Sequence, residues 1–140
     1  KKEDDVNVSN LTVRESKGAG ILCANGASIH LDNVSVENGM YGVIVFSTKR
    51  STMKNCNVSH SKGSGLVVHD GGLMTISGNG TTIHHNCTGG KSYHYGLETG
   101  TSSSIHLAPS LTTQMICTNN GGGGDYGGDG VLASICKIFI

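Results

Sequence analysis

Three times within its first sixty residues the chain returns to one tetrapeptide: Asn10-Leu11-Thr12-Val13, Asn33-Val34-Ser35-Val36 and Asn55-Cys56-Asn57-Val58. A second motif follows in phase, as Gly20-Ile21-Leu22-Cys23, Gly42-Val43-Ile44-Val45 and Gly65-Leu66-Val67-Val68. Self-similarity at a period of roughly 20–30 residues marks a solenoid, in which each unit buries its apolar face only against its neighbours. Such a chain offers long flat faces rather than one deep pocket.

Each repeat holds three short segments that alternate apolar and polar residues. The first reads Leu11-x-Val13, Val34-x-Val36, Cys56-x-Val58 and Thr81-x-Ile83. The second reads Ile21-x-Cys23, Val43-x-Val45, Leu66-x-Val68 and Leu97-x-Thr99. The third reads Ile29-x-Leu31, Ser51-x-Met53, Met74-x-Ile76 and Ile105-x-Leu107. Alternation at period two means strands with one face buried. No stretch of the first 85 residues keeps the i, i+3, i+4 spacing of a helix. Three strands per turn, stacked in register, predict an all-β parallel β-helix of about five coils with no major helix. One domain is expected over 1–140, regular over about 6–85 and irregular over 86–140. Gly20, Gly42, Gly65, Gly96 and Gly130 are expected at the corner before each second strand, where φ > 0 or close backbone approach favours glycine. Asn10, Asn33 and Asn55 precede the first strand and are expected to form an amide ladder. The register loosens after Met74: Gly78-Asn79 reads as a two-residue insertion, and 86–95 as a longer loop.

Composition narrows the function classes. Twenty-two glycines, one proline and no tryptophan suit short strands and tight turns. Ten basic and ten acidic residues leave no net charge, so there is no footprint for nucleic acid or an acidic membrane surface. No run of about 18 apolar residues is present for a membrane span. The start at Lys1 and the apolar end suit a fragment of a longer protein. Five cysteines form no zinc or CxxC spacing, and Cys23 and Cys56 fall in slots held elsewhere by valine, so they read as buried thiols. The sequons at Asn7, Asn10, Asn33, Asn57, Asn79 and Asn86 are by-products of a repeat that wants Asn at corners and Ser or Thr outside.

The Asn-apolar-x-Val and Gly-apolar-x-Val tetrapeptides resemble the right-handed parallel β-helix superfamily, the pectin-lyase-like fold, over at least residues 6–107. The handedness is what the resemblance implies. The segments Thr82–Cys87, Tyr95–Leu97, Ile105–Leu107 and Thr118–Gly124 are similar to short uncharacterised β-helix proteins of large DNA viruses and algae, which implies a structural or attachment role and no particular chemistry. Enzymes of the superfamily work with carboxylates, a basic residue and often calcium. Here only Asp70, Glu98, Asp125 and Asp129 remain after residue 37, and among the repeats no Asn-Thr-Asp, Asp-Asp or Gly-His-Gly set of the pectin-hydrolase kind appears. Tyr95-Gly96-Leu97-Glu98 resembles the Tyr-Gly-aromatic-Asp-Pro-His run of β-helix uronate epimerases, without its Pro-His.

Outward positions complete the reading. The first strands show Thr12, Ser35, Asn57 and Thr82, and the third show His30, Thr52, Thr75 and His106, all polar. The second show Leu22, Ile44 and Val67, then Glu98 and Leu132. That apolar column predicts self-association through the second sheet, with Leu22, Ile44, Val67 and Leu132 as interface residues of a homo-oligomer. The end coils need covers, for which the charged run 1–5 and the tail 135–140 are the candidates. The main reading is thus a non-catalytic scaffold or recognition module. The alternative is a carbohydrate-active or carbohydrate-binding protein that meets a polysaccharide at Tyr93, His94, Tyr95 and Glu98. No cofactor is expected. No metal site is expected either: an extended His84-His85 points to opposite faces, His30 and His106 lie about three coils apart, His69 has only Asp70 beside it, and Asp125 and Asp129 match no calcium repeat.

Overall fold

The computed structural model describes residues 5–135 except 49. The chain winds through β1 (Asp5–Arg14) and β2 (Ala19–Cys23), then β3 (Ser28–Glu37) and β4 (Tyr41–Phe46). The third coil is β5 (Ser51–Lys54), β6 (Asn57–Ser59) and β7 (Leu66–His69), and the fourth is β8 (Leu73–Ser77), β9 (Thr82–His84) and β10 (Leu97–Thr99). The fifth is β11 (Ser104–Leu107), β12 (Cys117–Thr118) and β13 (Tyr126–Gly128), and β14 (Val131–Ser134) opens a sixth. Every pairing is parallel and joins one coil to the next. This is a β-solenoid. The one α-helical turn among the described residues, α1 (Thr113–Ile116), is capped by the Thr112 side chain, which accepts from the Met115 N–H.

β1 and β3 each run through two walls of the solenoid and bend at Asn10 and Asn33, whose φ values are 57° and 56°. Later coils break there instead, with Asn55 at φ 51°. Asparagine tolerates this left-handed backbone because its short amide bonds locally. The Asn33 amide donates to Asn10 Oδ1 at 2.9 Å, one rung of the expected ladder. In the next coil Asn55 Oδ1 instead accepts from the Gly80 N–H at 3.0 Å, where the chain between Ser77 and Thr82 is two residues longer than that between Lys54 and Asn57.

Inside, the ladders run as the alternation requires. Leu31 stacks on Met53 and Met53 on Ile76, Val36 on Val58 and Val58 on Ile83, and Val43 on Leu66 and Leu66 on Leu97, all buried. Each such side chain contributes about 1.5–3 kcal/mol relative to exposure. Among the described residues β1 pairs with β3 alone, and Val6 and Leu11 are exposed in columns that are buried one coil later. Cys23, Cys56, Cys87 and Cys117 are buried free thiols, and burial pushes Cys87 to a pKa of about 11 and Cys117 to about 12. They are protonated and inert at neutral pH. Cys136 lies outside the described residues, as do residues 1–4 of the expected cover 1–5 and residues 136–140 of the expected cover 135–140.

Two expectations about the last coils need correction. The second-sheet strand of the fifth coil is β13, opposite β10, and not the segment after Gly130. Leu132 belongs to β14, pairs with Ile105 of β11 and packs against the core, so it is no part of an outer stripe. Tyr126-Gly127-Gly128 carries too little apolar alternation to be recognised as a strand, and only the tertiary register places it. At the opposite corner the wall contains side chains that a loop reading of 86–95 misses. Asn86, buried, donates to the Val58 carbonyl at 3.0 Å and to Asn120 Oδ1 at 3.1 Å, and its Oδ1 accepts from the Ser61 N–H at 3.1 Å. Asn120 continues the chain to the Ile83 carbonyl and to Asp125.

Candidate functional site

The outer surface of the second sheet is built from three columns. Tyr41, Ser64 and Tyr95 stand just before the corner glycines Gly42, Gly65 and Gly96. Leu22, Ile44, Val67 and Glu98 form the middle column, and Phe46 lies over His69 at the far edge. Leu22 is 61% exposed and Ile44 half-buried, but Val67 is only 3% exposed. The cause is Glu98. Its carboxylate accepts from Ser64 Oγ at 2.5 Å and meets His69 Nε2 at 3.6 Å. Ser64, just before the corner glycine Gly65, and His69, the last residue of β7, lie on either side of Val67 along the chain, so a carboxylate tied to both lies across it. The apolar stripe therefore stops at Ile44. His69, expected to have only Asp70 beside it, pairs with Glu98 and stacks on Phe46 at 5.9 Å.

The loop 86–95 folds back onto this surface. Ser64 Oγ accepts from the Tyr95 N–H at 2.9 Å, which fixes where the loop rejoins the sheet. His94 is buried edge-on against Tyr41 at 5.5 Å, with Nε2 3.2 Å from the Tyr41 hydroxyl. Tyr93 packs on His94 at 4.7 Å and is 63% exposed. Tyr95 turns away and lays its ring on Gly123 and Gly127, where any side chain would collide with it. Burial first, then Glu98 and Tyr93, raises the Tyr41 pKa above its ordinary 10, so the phenol stays a donor. His94 Nδ1 is buried without a partner, which is unusual for a polar atom in a folded protein.

Between the loop and the preceding coil is a cleft of about 180 Å³ lined by Met40, Tyr41, Lys62, Gly89, Lys91, Tyr93 and His94. Of the four residues singled out in the sequence, Tyr93 and His94 line it. Glu98 lies on the neighbouring part of the sheet, within electrostatic reach of Tyr41, and Tyr95 serves as packing. Tyr41, Lys62, Ser64 and His69 were missed. The signal for two of them is in the repeat, since Tyr41, Ser64 and Tyr95 occupy one slot before successive corner glycines. Chemically the cleft offers aromatic faces, two ammonium groups and a phenolic donor. It holds no carboxylate, and Glu98 is already engaged by Ser64 and His69, so the acid and base that glycosidic cleavage demands are not assembled here.

The histidines on another face also depart from expectation. His85 is not extended but left-handed, at φ 54°, which swings it to the side of His84. Their Nδ1 atoms lie 2.8 Å apart, and His60 from the coil before stacks on His85 at 5.2 Å. Burial first, then His85 and His60, holds His84 below its ordinary pKa of 6.5. His30 and His106 are as far apart as expected, joined through the Thr52 and Thr75 column.

The solenoid and its ladders define a class, and comparison with known proteins agrees. The family model described as "Right handed beta helix region" matches residues 1–124. The chain belongs to this right-handed β-helix family. No curated protein matches it, and no solved structure does. Among the described residues no helix is long and apolar enough to cross a membrane.

Proposed function

We propose that the chain is a non-catalytic recognition module that binds an acidic carbohydrate at the outer edge of its second sheet. One observation carries the reading: Tyr93 and His94 of the loop pack with Tyr41, the first residue of β4, into an aromatic cluster beside Lys62 and Lys91. The aliphatic face of a sugar packs on an exposed ring, and a uronate carboxylate is matched by lysine ammonium groups. Calorimetric titration with oligouronates is expected to give saturable binding without turnover. Tyr93→Ala is expected to weaken it roughly fivefold or more, equivalent to about 1 kcal/mol. Binding that survives both Tyr93→Ala and Lys91→Glu unchanged would remove the cleft from consideration. Release of lyase, hydrolase or epimerase products would remove the non-catalytic reading.

A second reading rests on Leu22, which stands 61% exposed beside the half-buried Ile44. Self-association of two copies through these residues suits a scaffold, and it accords with the structural or attachment role that the viral and algal resemblance implies. With Val67 covered and Leu132 in the other sheet, the patch is smaller than the four-residue stripe expected, which places this reading second. Light scattering is expected to show a concentration-dependent dimer that Leu22→Asp abolishes. A wild-type chain that stays monomeric at high concentration rules it out.

A further inference from the structure

We propose that His84 and His85 form a two-nitrogen chelating site for a borderline divalent transition metal, Cu²⁺ above all, with the His60 ring packed beside them. Adjacent residues of a strand point to opposite faces, which would forbid joint ligation. The solenoid overrides this at its corner. The slot after the first-sheet strand holds Glu15, Asn38, His60, His85 and Asn119, and all five have φ between 54° and 59°. Each of the last four occupies successive coils, and the first three of those donate their N–H to the strand of the following coil: Asn38 to Ser59, His60 to His84 and His85 to Thr118. The left-handed turn thus belongs to the repeat and is held by the backbone. Placing histidine in that slot in two consecutive coils, with a third at the end of β9, brings three imidazoles together.

The local hydrogen bonds prepare His84 as a ligand. Its Nε2 lies 2.9 Å from Asn57 Oδ1, and the same oxygen accepts from Thr82 Oγ1 at 2.6 Å. An oxygen there requires Nε2 to carry the imidazole proton, which leaves the Nδ1 lone pair free. A metal-binding histidine typically has its second nitrogen anchored in this way. The Nδ1 of His85 lies 2.8 Å from that lone pair. Two nitrogens at that separation, each about 2.0–2.1 Å from one ion, subtend about 85–90°, the angle of adjacent ligands in tetragonal or octahedral coordination. Imidazole nitrogen suits Cu²⁺, Ni²⁺ and Zn²⁺, and affinity peaks at Cu²⁺.

In the free protein the His85 Nδ1–H donates to His84. Binding moves that proton to the exposed side of the same ring, so neutral His85 becomes a ligand without net proton release. His60 stacks on His85 with 6° between planes and meets His84 edge-on at 5.8 Å. The described residues hold no ready three-ligand set of His, Cys, Asp or Glu, so the site is a two-nitrogen chelate completed by water or by rotation of His60. Glu37, ion-paired with Arg14, lines the open depression beside it with Asn38, Asn57, Ser59 and His60.

Titration with Cu²⁺ alone at pH 8, read by electron paramagnetic resonance and calorimetry, is expected to show one tight equivalent with imidazole nitrogen hyperfine structure. His85→Asn keeps a residue that the same slot accepts at Asn38 and Asn119, so the fold is retained and circular dichroism can verify it. That variant and His84→Asn are expected to lose about tenfold or more in affinity together with the hyperfine pattern, and His60→Asn less. Tight binding that persists unchanged in folded His85→Asn overturns the proposal. Absence of a saturable equivalent in the wild type does so equally.

Discussion

Replacing Asn86 with alanine is expected to destabilise the protein by about 3–5 kcal/mol, a large share of the stability of an ordinary domain. The side chain is 1% exposed and closes the corner between two walls. Its amide donates to the Val58 carbonyl and to Asn120, and its oxygen is the acceptor for the Ser61 N–H. Truncation takes the side-chain acceptor from the Ser61 N–H and the amide donor from the Val58 carbonyl, while Asn120 Oδ1 keeps the Asn86 backbone N–H, and each buried unsatisfied group costs about 1–3 kcal/mol. Asn86→Asp is expected to be worse still. It keeps the acceptor for Ser61 but turns a charged oxygen toward the Val58 carbonyl and Asn120 Oδ1, both acceptors. Urea denaturation gives the answer through the midpoint, provided the slope is unchanged. A loss below about 1 kcal/mol in Asn86→Ala would mean that the corner is held by the backbone alone.

Gly42→Ala is expected to cost about 3 kcal/mol, at the upper end for an added methyl group in a packed interior. A Cβ at this position falls onto the Gly65 carbonyl of the next coil and onto the Val58 side chain. The first obstacle is backbone, so relief requires the two coils to part where the Val43 N–H donates to Gly65 at 2.8 Å. The conflict is steric, because Gly42 is not among the glycines of positive φ. Gly18→Ala separates this from any general effect of removing glycine. Nothing lies within 4 Å of its added methyl group, so its stability is expected to stay within about 0.5 kcal/mol of the parent. Equal losses in the two variants would show that crowding between coils is not what Gly42→Ala costs, since the entropy of the unfolded chain favours alanine in both.

The repeat was legible because a parallel solenoid imposes the same demand at each slot in every coil. Val34, Val36, Val58 and Ile83 could be assigned inward from alternation alone, and Asn10, Asn33 and Asn55 could be placed at a bend. Legibility failed where the coil lengthens. The step from Val43 to Leu66 is 23 residues and that from Leu66 to Leu97 is 31, so the period no longer predicts which residue faces which. Asn86, Asn120 and β13 lie in that part of the chain. Alternation also says nothing of what happens above an outward residue. Alternation places Val67 outside, whereas the Glu98 carboxylate, one coil away in space and 31 residues away in sequence, lies across it.

Local patterning thus decided the architecture: strand positions, the inward ladders, the corner glycines and the Asn bend all follow from residues within one period, since neighbouring coils repeat the same local problem. Only the three-dimensional stack decided the sites. Tyr41 meets His94 across 53 residues, Ser64 reaches Glu98 across 34, and His84 and His85 converge because a left-handed residue at the corner undoes the alternation of an extended chain. Those contacts run between coils, where distance in space is set by the strand spacing of about 4.8 Å and not by separation along the chain.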